Sequence, residues 1–174
     1  MKNEDEDDQT FVAAAVADED ENEELEVSPE ALAIAVDALA EAFHEEWRKT
    51  RLNSEGEYTP RIKTTTDESW IAENKTNQVD IANTNYPDLP ADWQAENKSA
   101  AKIIVEIINE NDDDLDLSDS ETRLSAGERI HAAWLSRNEW AKGTELEAPF
   151  SQLSEEEQAK DIEQLIIAQR VFAN

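Results

Sequence analysis

The chain of 174 residues contains no cysteine, three glycines, two histidines and only 15 basic residues against 43 acidic ones. Each scarcity excludes something. Without cysteine there is neither a disulfide framework nor a thiolate metal cluster. Three glycines cannot build a glycine-rich phosphate loop. Two histidines are too few for a histidine-rich zinc site and would need carboxylate partners that the sequence does not place. No stretch approaches the roughly 18 consecutive apolar residues of a membrane span. Residues 2–9 (KNEDEDDQ) are acidic where a secretory signal begins basic. The expectation is a cytoplasmic protein with no membrane association. No serine or threonine lies in a nucleophile motif, so no catalytic residue, metal or cofactor is expected and the chain does not read as an enzyme.

What the chain has in excess is negative charge, and it is unevenly spread. The formal net charge is -28, of which residues 1–30 carry -12 and residues 111–121 (NDDDLDLSDSE) carry -6. The remainder is only mildly acidic. A protein imitating DNA needs charge fixed on a rigid surface at phosphate-like spacing, about one charge per 1.7 Å of duplex. Here most of the excess falls in segments too acidic and too poor in apolar residues to fold alone. Direct nucleic-acid binding is disfavoured by the same charge. Asp112-Asp113-Asp114-Leu115-Asp116 superficially resembles a calcium loop but lacks the glycine at its sixth position and the closing glutamate, where Arg123 stands.

Residues 1–27 read as a disordered acidic tail enclosing one short apolar island, Thr10 to Val16. A first helix opens at Ser28-Pro29, a good N-cap followed by proline at the first helical position. Leu32, Val36, Leu39, Phe43 and Trp47 continue it as one apolar stripe to about Leu52. Residues 53–87 are mixed and polar, with a short helix expected from Thr66. A second helix runs from near Pro90 to Asn109, with Trp93, Ala101, Ile104 and Ile108 on its apolar face. After the acidic linker 111–121, a third helix is expected at Ser125-Ala126-Gly127-Glu128, a capping-box pattern, carrying Ile130 and Trp134. A fourth opens at Ser154 with Glu157 three residues on, and carries Ile162, Leu165, Ile166 and Phe172. Val79 to Ala82 is the only strand candidate. The fold class is therefore all-α.

The two halves repeat each other. Phe43-His44-Glu45-Glu46-Trp47 aligns with Ile130-His131-Ala132-Ala133-Trp134, and Leu89-Pro90 through Asn97 aligns with Leu153-Ser154 through Asp161. Ala101, Ile104 and Ile108 then fall on Leu165, Ala168 and Phe172. His44 and Asn97 are 53 apart and His131 and Asp161 are 30 apart, so the first unit carries an insert of 23 residues within 53–87. Two helices cannot bury both faces alone, so the units should pack together about a pseudo-twofold axis. The expected organisation is a tail (1–27), repeat 1 (28–110), the linker (111–121) and repeat 2 (122–174).

These units resemble the ryanodine-receptor (RyR-type) repeat, in which a helix bears His and Trp three apart. A variable loop, an apolar-Pro-aromatic segment and a Leu-Pro/Thr/Ser turn into a second helix follow. The second unit carries His131, Trp134, Pro149-Phe150, Leu153-Ser154, Glu157 and Lys160-Asp161; the first carries His44, Trp47, Tyr58-Thr59-Pro60, Leu89-Pro90 and Asn97. The first departs with Thr59 for the usual glycine, Asn97 for aspartate and no apolar run before Leu89. The resemblance covers about residues 28–172. It implies a small helical contact module without catalytic machinery, of a kind also carried by small prokaryotic and phage proteins and suggested to recognise nucleotides or other small ligands.

One neighbourhood is net basic. His44, Trp47, Arg48 and Arg51 share a side of the first helix, with Lys49, Tyr58, Arg61 and Lys63 close in sequence. An aromatic ring there can stack a base while arginine holds phosphate or carboxylate. In the plainer reading Trp47 is core, the two histidines make one repeated packing contact, and the arginines pair with carboxylates. Trp93 and Trp140 read as packing anchors, whereas Trp70, inside the insert, could line a pocket. The expected ligand-binding residues are His44, Trp47, Arg51, Tyr58 and Arg61. The expected partner is an anionic, nucleotide-like small molecule or a protein. The alternative is an acidic inhibitor or adaptor that binds a basic protein partner, DNA mimicry included.

Overall fold

The computed structural model describes residues 27–111 and 115–173. Residues 1–26 of the acidic tail, with its apolar island, and the Asp112–Asp114 run lie outside the described residues. Among these there are five helices, α1 (Pro29–Lys49), α2 (Glu68–Asn74), α3 (Ala91–Glu110), α4 (Ser120–Arg137) and α5 (Glu155–Phe172). Two three-residue strands, β1 (Ile62–Thr64) and β2 (Gln78–Asp80), and four three-residue 3-10 turns complete the set. The domain is all-α in class, with its little strand confined to the insert. No described helix is long and apolar enough to cross a membrane.

Helix starts follow local chemistry. Ser28 caps α1 by accepting from the Ala31 amide at 3.2 Å, and Ser154 caps α5 by accepting from Glu157 at 3.3 Å. Both positions were legible as caps. The start of α4 was not at Ser125. Asp119 accepts from both the amide and the hydroxyl of Thr122 at 2.8 Å, so the helix begins at Ser120 and the acidic linker is correspondingly shorter. Glu128, read as the reciprocal half of a capping box, instead accepts from the amides of Phe150 and Ser151, both at 3.3 Å. At its far end α1 stops at Lys49, three residues before Leu52, which turns away to pair with Tyr58.

One hydrophobic core joins both halves, centred on Leu39, Phe43, Ile104, Ile130, Ile162 and Leu165. Helix α1 packs on α3 and α4 on α5, while α3 against α4 and α1 against α5 close the two pairs into a single body.

The insert is built as a small structure of its own. Strands β1 and β2 are antiparallel, with Lys63 opposite Val79. Only Val79 and Asp80 of the expected Val79–Ala82 strand belong to β2, and its partner β1 was not foreseen. Asp67 caps α2 through Ser69 and Trp70 and also accepts from the Ala91 amide at 2.8 Å, serving the start of α3, where Pro90 has no side chain to do so. In return, Asp92 of α3 accepts from Thr65 Oγ1 at 2.6 Å and the Thr66 amide at 2.9 Å. On the other side Arg48, 7% exposed, donates from Nε to the Ala82 carbonyl at 2.8 Å and from Nη1 to Glu45 and Asn85. The 53–87 stretch is thus pinned to both long helices of its own unit.

Candidate functional site

The repeat in the sequence is a repeat of contacts. His44, 3% exposed, places Nε2 2.8 Å from the Thr84 carbonyl; His131, 5% exposed, places Nε2 2.9 Å from the Ala148 carbonyl. A carbonyl can only accept, so in each ring Nε2 carries the proton and Nδ1 is left for another partner. Trp47 and Trp134 stack on their histidines at the same 5.9 Å between ring centroids. Gln94 and Gln158 each donate to the carbonyl of the leucine five residues before, Leu89 and Leu153, at 3.1 Å. The histidine-to-carbonyl separation is 40 residues in the first unit and 17 in the second, a difference of 23 that matches the insert.

These paired histidines clamp a connecting segment onto their helix. Burial lowers the pKa of His44, against the opposing influence of its bond to Thr84. Among the described residues no group of three His, Asp or Glu side chains is gathered to hold a metal ion.

Beside each clamp lies a cavity. The first, about 260 Å³, is lined by His44, Trp47, Trp93 and Asn97 of the first unit and by Trp134 and Arg137 of the second. The second, about 360 Å³, lies wholly within the second unit and includes His131, Trp134, Trp140 and Asp161. Under the repeat alignment Asn97 corresponds to Asp161, and Trp93 to Glu157.

Arg137 distinguishes the first cavity. Its Nη1 donates to the Ala133 carbonyl at 3.0 Å, but its Nε is buried without a hydrogen-bond partner. Burial lowers its pKa from the usual guanidinium value, opposed by nearby Glu96. A buried donor left unsatisfied costs about 1–3 kcal/mol, and such exceptions call for an explanation.

The five residues singled out in the sequence divide between two places. His44 and Trp47 line the first cavity. Arg51 reaches back to the Thr59 and Pro60 carbonyls at 2.9 and 3.1 Å and lies 5.7 Å over the Trp47 ring. Tyr58 is covered by the Arg48 guanidinium, 4.4 Å from its centroid. Arg61 is exposed, and its backbone amide donates to Asp80 at 2.9 Å. Trp70 packs against the core and pins the insert. Sequence reasoning passed over Arg137, Asn97 and Trp93 as a site. The available signal was that Arg137 follows His131 and Trp134 at the next three-residue step along α4.

Compared with family models, with curated proteins and with solved structures, the chain matches none.

Proposed function

We propose that the protein is a non-enzymatic recognition module of two RyR-type repeats that binds a planar anionic ligand of nucleotide type. The ligand is received in the cavity between the repeats. The carrying observation is that Arg137, whose buried Nε has no hydrogen-bond partner, lines a chamber with Trp47, Trp93 and Trp134, beside the carboxylate of Glu96. A phosphate or carboxylate accepts from this guanidinium, and a flat ring stacks on an indole. Cation–π and stacking contacts are worth on the order of 0.5–2 kcal/mol each. Asn97 and Asn138 add neutral donors and acceptors to the lining, suited to hydrogen-bonding a base or sugar.

This reading moves the anion contact from Arg51 and Arg61 to Arg137, while His44 and Trp47 keep their place. Arg51 already spends its guanidinium on two backbone carbonyls.

The test is calorimetric titration of the full chain with a panel of nucleoside mono- and diphosphates, repeated for Arg137→Gln, Arg51→Ala and Arg61→Ala. Loss of binding in Arg137→Gln, with the melting temperature held, supports the cavity. Loss only in the other two returns the site to the insert side of α1. No binding across the panel rejects the nucleotide class. The protein would then be read as an acidic adaptor, whose complex with a basic partner weakens steeply with salt.

A further inference from the structure

The second cavity has the opposite chemistry to the first. Its buried carboxylate is Asp161, 9% exposed. The nearest partner of that carboxylate is His131 Nδ1 at 3.7 Å, too long for a hydrogen bond. Because His131 Nε2 donates to Ala148, a neutral His131 presents a lone pair, not a proton, to Asp161. The carboxylate therefore sits in a largely buried place with no donor aimed at it. The other charged groups lining the cavity, Glu157 and Lys160, are paired with each other at 2.6 Å, and Gln164 is neutral. Asp161 is the charged group of the chamber that has no hydrogen-bonded partner.

The walls suit a cation. Trp134 and Trp140 meet edge to face, 83° apart with centroids at 5.7 Å, and so form two sides of a corner. Trp140 is 66% exposed, and its indole nitrogen donates to Asn138 at 3.1 Å, which holds a large apolar ring out in solvent beside the opening. In the first unit the position of Asp161 is taken by Asn97 and that of Glu157 by Trp93, so the two cavities have diverged in charge while keeping the His–Trp clamp.

We infer that the second repeat holds a separate binding site for an organic cation bearing N–H donors, a guanidinium or primary ammonium group. The cation lies against the Trp134–Trp140 corner and hydrogen-bonds to the Asp161 carboxylate. Donors are required because the carboxylate lacks them; a quaternary ammonium ion fills the corner but leaves Asp161 as it is. An ionised carboxylate in this setting gains from a charge-assisted bond, stronger than a neutral one, and the indole faces add cation–π attraction. This site does not use Arg137 or Trp93, although Trp134 lines both cavities, so Trp140 and Asp161 are the groups that report on it alone.

The test is titration of the full-length protein with methylguanidinium, n-propylammonium and tetramethylammonium at low millimolar concentration and constant ionic strength. It is followed by NMR of the tryptophan indole protons, with far-UV circular dichroism as a check on folding. A blocked arginine peptide is run alongside. Shifts at the Trp134 and Trp140 indoles with the first two cations, and tenfold weaker or no response to tetramethylammonium, are expected. Asp161→Asn should weaken methylguanidinium at least tenfold. The first unit already accommodates asparagine at the matching position, so the fold should tolerate it. Tighter binding of the arginine peptide would identify a protein side chain as the natural occupant, and tighter binding of the free compound a small molecule. Equal binding by Asp161→Asn, equal binding of tetramethylammonium, or no shift at either indole would overturn the inference.

Discussion

The ring of Phe150 occupies the space that a β-carbon on Gly127 would need: an ideal Cβ there falls 2.4 Å from two ring atoms. Gly127 is buried in the middle of α4, and Phe150 is 3% exposed, so neither has room to yield. The repeat alignment puts Ala40 opposite Gly127 and Tyr86 opposite Phe150. Gly127→Ala gains about 1 kcal/mol of helix propensity but meets an overpacking cost of about 1–3 kcal/mol. The expected outcome is a lower melting temperature, measured by circular dichroism. A rise would mean that Phe150 can shift freely.

Arg48 holds the insert, and its removal should be felt there first. Arg48→Met keeps much of the apolar stem but strands the Ala82 carbonyl and Asn85 Oδ1. A buried acceptor left alone costs about 1–3 kcal/mol. Amide hydrogen exchange should accelerate across residues 58–85 more than in α4 and α5. Uniform acceleration over all helices would show that Arg48 supports the whole body and not the insert in particular.

Arg137 gives a contrast between stability and binding. Its Nε is buried and unsatisfied, so Arg137→Met should leave the melting temperature unchanged or raise it, even as it removes the proposed anion contact. This is the trade expected where a binding group is held in an unfavourable setting. A clear fall in stability would identify Arg137 as a structural residue instead.

Asp161 predicts a sign for the effect of pH. Burial pushes its pKa up from 3.8 to about 6, with His131 acting in the opposite direction. A carboxyl whose folded pKa is raised favours the folded state most when protonated. Its contribution is full below pH 3.8 and is lost as pH rises through about 6. Asp161→Asn should therefore gain stability relative to the parent as pH climbs across that window, with little difference at the acid end. The difference between the two chains is the quantity to follow, because other carboxylates titrate in both. Thermal melts at stepped pH check it; a constant difference would remove Asp161 as the source.

The pattern of residues revealed the main helices because their signals are local. Ser28-Pro29 and Ser154 with Glu157 announce helix starts, and the Leu32–Trp47 stripe shows a buried face without reference to any other element. The repeat was legible because His and Trp three apart recur with the same downstream turn. Long-range pairing was not legible. β1 owes its existence to β2 across the insert, and three residues carry no periodicity to read. Ser125 and Glu128 fit a capping box, yet Asp119 offers a stronger cap six positions before Ser125. His44 and Trp47 were found from the shared face of one helix. Arg137 was not, because the cavity it completes is made by helices from both halves and only packing brings them together.

The cavity beside His44 draws Trp134 and Arg137 from the other half of the chain. Neither repeat alone contains it, whereas the chamber around Asp161 is complete within one. If the chain were divided between residues 111 and 115, each fragment would keep its own histidine clamp. The proposed recognition of an anion, however, would return only on reassembly of the two pieces, because the cavity it needs is a property of the pair.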